Sequence, residues 1–153
     1  MTRFPPMDEG PRYFTVEEAN DLVSDLEIEF GRVAQVRADM VACVEALGGA
    51  EVAMAVLQRG EPGPAGHGED AQRLRALADQ LGAAVERING LGCLVKDLEA
   101  GLVDFYSLQD GEPVFLCWQF GEPAVSHWHP VDAGFAARQP IEGVTVRPPA
   151  FFN

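Results

Sequence analysis

CLVKDLEAGLVDFYSLQDGEPVFLCWQF, residues 93–120, decides the fold. Branched, aromatic and polar residues alternate here at a period of two, and turn signals interrupt them at short intervals: EAG at 99–101, DG at 110–111 and GEP at 121–123. Between the turns lie CLVKDL, LVDFYSL, PVFLCWQF and, further on, AVSHWH, each of strand length. The pattern predicts an antiparallel β-meander of three to four strands over 93–129. EAG suits a type I turn with Gly101 left-handed, and Asp110-Gly111 suits a two-residue type I′ hairpin.

The turns set an expected register. Closing the hairpin at Asp110-Gly111 places Tyr106 opposite Phe115, Phe105 opposite Leu116 and Asp104 opposite Cys117. A three-residue turn at 99–101 puts Lys96 opposite Asp104 as a cross-strand ion pair. If Gly121-Glu122 is a two-residue turn, Trp128 falls opposite Phe115 and completes a ladder with Tyr106. His127 and His129 then share the other face, beside Val114, Leu116 and Phe105.

Upstream the period is helical. Thr15 begins a TVEE capping box with Glu18, and Ala19, Leu22, Leu26, Phe30, Val33, Val36, Met40, Val44 and Leu47 follow at steps of three and four. The first helical region is expected over 15–58, broken at Gly48-Gly49. RGEPGPAGHGED, residues 59–70, reads as a mobile loop with His67 solvated inside it. Leu74, Leu77, Leu81, Ala84, Ile88 and Leu91 then give a second helix over 71–91 with a near-heptad seam. The expectation is one α+β domain over 1–153: an extended lead-in at 1–14, a long antiparallel helical hairpin, the meander, and an extended C-terminal segment at 130–153. Its end, TVRPPAFFN, offers Phe151 and Phe152 to a second subunit.

Composition narrows the partners. A net charge of −13 repels phosphate backbones and anionic lipid, so neither nucleic acid nor membrane is expected. The start carries no signal-peptide core, which points to the cytoplasm. Cys43, Cys93 and Cys117 form no C-x-x-C pair and read as buried thiols. The chain contains no dinucleotide fingerprint, Walker loop, nucleophile elbow or zincin motif.

SHWHPVDAGFAARQPI, residues 126–141, is where chemistry concentrates. Its residues support three readings. His127 and His129 on one strand face, with Asp132 curling back, make half of a divalent-metal site. Alternatively, Trp118 and Trp128 wall a small polar pocket in which His129 titrates, Asp132 orients it and Arg138 anchors a small anion. The third reading has both imidazoles as hydrogen-bonding residues at the edge of the core.

RYFTVEEANDLV, GCLVKDLEAGLVDFYSLQDGEPVFLCWQFGEP and HWHPVDAGFAARQPI together resemble the bacterial domain of unknown function 2203. The resemblance spans most of the chain and implies no established activity. It implies that the patterned positions are Lys96, Asp97, Gly101 and Asp104, then Trp118, Trp128, His129, Asp132, Gly134, Phe135 and Arg138. His129 fits the family's aromatic-histidine step better than His127, which favours His129, Asp132 and Arg138 over the two-histidine clamp. Helical arms with a small sheet fit a homodimeric interaction or regulatory module, with a polar pocket near the end of the meander. The alternatives are a metal-dependent protein using His127, His129 and Asp132, or an anion binder using His129 and Arg138.

Overall fold

The computed structural model describes residues 11–141. The tail TVRPPAFFN, with Phe151 and Phe152, lies outside the described residues, as does most of the lead-in. Among the described residues the fold is α+β: four α-helices, then five antiparallel strands, each paired with the next in chain order. The described residues divide into two compact units, one from 11–28 and 88–141, the other from 29–87. Among the described residues no single helix is long and apolar enough to cross a membrane.

The capping box forms as the sequence implies. Thr15 Oγ1 accepts from the Glu18 amide at 3.0 Å, and the Glu18 carboxylate accepts from the Thr15 amide at 2.9 Å, opening α1 (Val16–Asn20). The first helical region then proceeds as α2 (Val23–Leu47) and α3 (Ala50–Arg59). Gly48 and Gly49 take φ values of 105° and 122°, a region that L side chains resist, and α2 and α3 diverge there by 107°. A second break, at Asp21-Leu22, has no glycine or proline to announce it.

The helical unit closes over Val36, Cys43, Leu47, Ala53, Val56, Ala71, Leu74 and Leu77. These come from α2, α3 and α4 (Gly68–Gly90), so the seam read from the sequence is the one that is buried. α4 starts three residues earlier than expected. His67, just before it, is partly exposed and lies 3.2 Å from Asp70. Glu29 holds Arg87 with both carboxylate oxygens, at 3.0 and 2.9 Å.

In the other unit, β2 (Leu102–Gln109) and β3 (Glu112–Gln119) form the expected hairpin. Asp110 and Gly111 both take positive φ, and Tyr106–Phe115, Phe105–Leu116 and Asp104–Cys117 stand opposite one another as the turn dictates. Val103, Phe105, Val114, Leu116 and Trp118 are buried on one face, and Phe14 meets Phe105 edge-on with ring centroids 5.0 Å apart. Phe14 is pinned by its backbone, donating to the Tyr106 carbonyl at 2.7 Å and accepting from Ser107 Oγ at 2.6 Å.

Two expected registers fail. In β1 (Leu94–Asp97), Leu94 rather than Lys96 stands opposite Asp104, and the pairing slips between Val95 and Asp97. Asp97 Oδ1 accepts from the Ala100 amide at 3.0 Å, which folds a longer turn than three residues and extrudes Lys96 as a bulge. In β4 (His127–Pro130), His129 rather than Trp128 faces Phe115. The last turn is not a two-residue one: the Glu122 amide donates to the Gln119 carbonyl, and further on Asn20 Oδ1 takes the Val125 amide at 2.7 Å while Asn20 Nδ2 donates to the Val125 carbonyl at 3.3 Å. Val125 thus has both backbone groups engaged by that side chain, and β4 beyond it stands one place from the expected register. β5 (Gln139–Pro140) adds a short fifth strand within the segment expected to be extended.

Candidate functional site

The one-residue slip exchanges the two faces of β4. Tyr106, Phe115 and His129 now form the cross-strand row, and Asp104, Cys117 and His127 form the next row on the same face. The ladder expected through Trp128 is therefore a ladder through His129. Trp128 goes to the opposite face, where with Val114, Leu116 and Ser107 it lines a cavity of about 180 Å3. His129 is not beside Leu116, Val114 and Phe105, and neither tryptophan walls it.

Asp104 and His129 are each only 2% exposed, and they meet. His129 Nε2 lies 3.1 Å from both carboxylate oxygens of Asp104. These residues stand on β2 and β4 with β3 between, and the residue beneath the bridge is Cys117, whose short side chain leaves room for the imidazole to cross. The Phe115 ring packs against the imidazole with centroids 5.4 Å apart. One donor atom from each of Asp104, Cys117 and His129 lies within 4.8 Å of the others, and all three residues are buried.

The proton arrangement follows from hydrogen-bond chemistry. A carbonyl oxygen only accepts, so His129 Nδ1, 2.9 Å from the Pro130 carbonyl, carries a hydrogen and donates it. Nε2 is then the nitrogen that faces Asp104, with one proton between them. Burial pushes the Cys117 thiol up to about 12; Arg138 opposes the rise, and Asp104 and Glu122 add to it. With both ring nitrogens of His129 engaged and the thiol held protonated, the trio is not arranged as an activated cysteine nucleophile.

The other expected site residues are placed elsewhere. Lys96 is exposed, with Nζ 4.9 Å from the Phe115 ring centroid, and makes no ion pair with Asp104. Asp132 is exposed and outside the cluster. His127 lies beside Ser126 Oγ at 3.0 Å; burial and then Arg138 lower its pKa, with Glu122 opposing them. Arg138 gives its fork to Glu122, Nη1 to Oε2 at 2.8 Å and Nη2 to Oε1 at 2.9 Å, and stacks over Phe135. Its Nη2 also reaches the Cys117 carbonyl at 3.4 Å.

Sequence reasoning took Cys117 as a buried thiol, which it is, but placed neither it nor Glu122 in a site. The signal for Cys117 was present, since the hairpin register already set it opposite Asp104. Glu122 read only as a turn residue, yet its carbonyl accepts from Trp118 Nε1 at 3.0 Å and its carboxylate from the Gln119 amide at 2.8 Å.

The family described as "Uncharacterized conserved protein (DUF2203)" matches residues 12–141, which include every residue of this cluster. The chain belongs to the DUF2203 family. No curated protein matches it, and no solved structure does either. In this DUF2203 chain, then, the buried Asp104, Cys117 and His129 stand out because polar side chains are rarely taken out of water without a strong partner.

Proposed function

We propose that this DUF2203 chain is a metal-binding regulatory module. A divalent transition ion such as zinc sits between Asp104, Cys117 and His129 and braces β2, β3 and β4. The observation that carries the reading is the orientation of His129. Its Nδ1 hydrogen is committed to the Pro130 carbonyl, the outer bond that metal-ligating histidines make, and its Nε2 is turned toward a carboxylate and a thiol.

The donor set suits zinc, which takes nitrogen, sulfur and oxygen at about 2.0–2.3 Å; its donors then stand roughly 3.3–3.7 Å apart, within the present grouping after small side-chain shifts. Loading displaces two protons to solvent, one from the Cys117 thiol and one shared by His129 Nε2 and Asp104. Three protein donors leave the fourth zinc position to a water, and burial of all three residues favours a sensing role over turnover, because a catalytic ion must also be reached by substrate. The small-anion reading has less support, since Glu122 occupies the Arg138 fork. The clamp of His127, His129 and Asp132 has less support too, since only His129 of the three is in the cluster.

The test is titration of the reduced, chelator-treated full chain with Co(II) and then Zn(II). One Co(II) per chain is expected, with a thiolate-to-cobalt charge-transfer band that Cys117→Ser removes and Zn(II) displaces. Failure of both ions to bind, or a cobalt spectrum unchanged in both Cys117→Ser and Asp104→Asn, overturns the reading.

A further inference from the structure

Asp104, Cys117 and His129 are buried, so an ion reaches them only when part of the surrounding structure moves. Strands β1 to β4 are laddered to their neighbours. The segment 131–138 is held differently. Its backbone bonds are local, the Ala133 amide to the Pro130 carbonyl, Ala137 to Gly134 and Arg138 to Phe135, and Val131 and Phe135 are exposed. Beyond it β5 pairs two residues with β4, and the Ile141 amide donates to the Ser126 carbonyl at 3.0 Å. A segment with so little apolar surface turned inward opens at low free energy.

Arg138 ties this segment across β4 to the end of β3. Its fork on Glu122, at 2.8 and 2.9 Å, is supplemented by the 3.4 Å contact with the Cys117 carbonyl. After burial, its charge is the next influence on both the Cys117 thiol and His127, which stand opposite one another on β3 and β4. The guanidinium therefore lies beside that end of the site. The pair is mostly withdrawn from water, with 14% of the Arg138 side chain and 25% of the Glu122 side chain exposed, and a two-pronged ionic bond in such a setting is strong. Closure also has a cost. Arg138 Nε is buried with no hydrogen-bond partner among the described residues, and water would satisfy it once the segment lifted.

We propose that 131–138 is a strap, latched by Arg138 on Glu122, whose release opens the Cys117 side of the site to solvent. The inference rests on the metal reading only in naming a divalent ion as what passes. Arg138 bonds to Glu122 and to the Cys117 carbonyl, none of them a donor atom of the trio, so the latch governs how fast an ion enters and leaves rather than which atoms hold it.

The test labels the reduced, chelator-treated full chain with N-ethylmaleimide and follows Cys117 and Cys93 by peptide mass spectrometry. Cys93 is the control, since it is buried in the same unit and its thiol is held by the Ile88 carbonyl instead. Arg138→Lys keeps the charge but loses the fork. Glu122→Gln keeps an oxygen for the Gln119 amide but loses the charge. Each is expected to speed Cys117 labelling about tenfold and to leave Cys93 within about twofold of wild type. Chelator-driven loss of bound Co(II) is expected to quicken by a similar factor in both variants. Unchanged Cys117 labelling in both, or Cys93 quickened as much as Cys117 through general unfolding, overturns the proposal. If the chain binds no Co(II), the metal reading fails while the labelling still decides the strap. Faster labelling with unchanged cobalt loss overturns the strap as the route of the ion.

Discussion

His129 Nε2 stands equidistant from the two carboxylate oxygens of Asp104, 3.1 Å from each, in a setting that leaves both side chains 2–3% exposed. A buried pair of this kind tolerates the loss of both members better than the loss of one, because a single deletion strands a charge or an unmet hydrogen bond.

In chelated, metal-free protein, His129→Ala and Asp104→Ala are each expected to lower unfolding free energy by about 3–5 kcal/mol. The double variant should cost clearly less than their sum. Urea denaturation of the four proteins measures this, and strict additivity would show that the two side chains are not coupled.

The cysteines make the protein alkali-sensitive. Unfolded, a thiol ionises near 9; folded, burial holds Cys117 to about 12 and Cys93 to about 11. Between those values the native state keeps protons that the unfolded state releases, so stability falls as pH rises above about 9. Cys117→Ala should flatten part of that fall and leave the part due to Cys93. His127 has the opposite sign. Its folded pKa lies below 6.5, so the unfolded state binds the proton more readily and stability falls as pH drops below about 6.5. His127→Gln should blunt that acid loss. Denaturation midpoints across pH decide both.

Gly101 and Gly111 separate two costs of a turn. Both have positive φ, 73° and 82°, but a Cβ on Gly101 would run into Phe120 Cβ, whereas on Gly111 it would meet open space. Gly111→Ala is expected to cost about 1–2 kcal/mol, the backbone penalty alone. Gly101→Ala should cost more, and thermal melting of the two variants ranks them. Equal losses would mean that Phe120 moves aside freely.

Asn20→Ala should release Val125 from its side-chain clamp. Loss of a partly buried hydrogen-bonding side chain costs about 1–3 kcal/mol. Amide exchange should quicken at Val125 while remaining slow in the middle of β2 and β3. Unchanged exchange at Val125 would show that the Asn20 side chain does not hold it.

Much of this architecture was legible in the residues because local chemistry produces it. The Thr15-Glu18 box, the break at Gly48-Gly49 and the Asp110-Gly111 hairpin each depend on atoms a few positions apart, and each formed as read. The site was legible in part. Asp104 opposite Cys117 followed from the hairpin turn, but the side chain that would find Asp104 did not follow, because β1 and β4 both compete for that face.

What the sequence determined alone is the change from helices to an antiparallel meander, the capped start at Thr15 and the β2–β3 register; periodicity and turn stereochemistry act over short stretches and suffice for these. Tertiary structure decided which face of β4 turns toward Asp104. Asn20, more than a hundred residues from Val125, engages its amide and carbonyl, β4 stands one place from the register that the turn alone would set, and in a structure with a side-chain period of two that step exchanges Trp128 for His129.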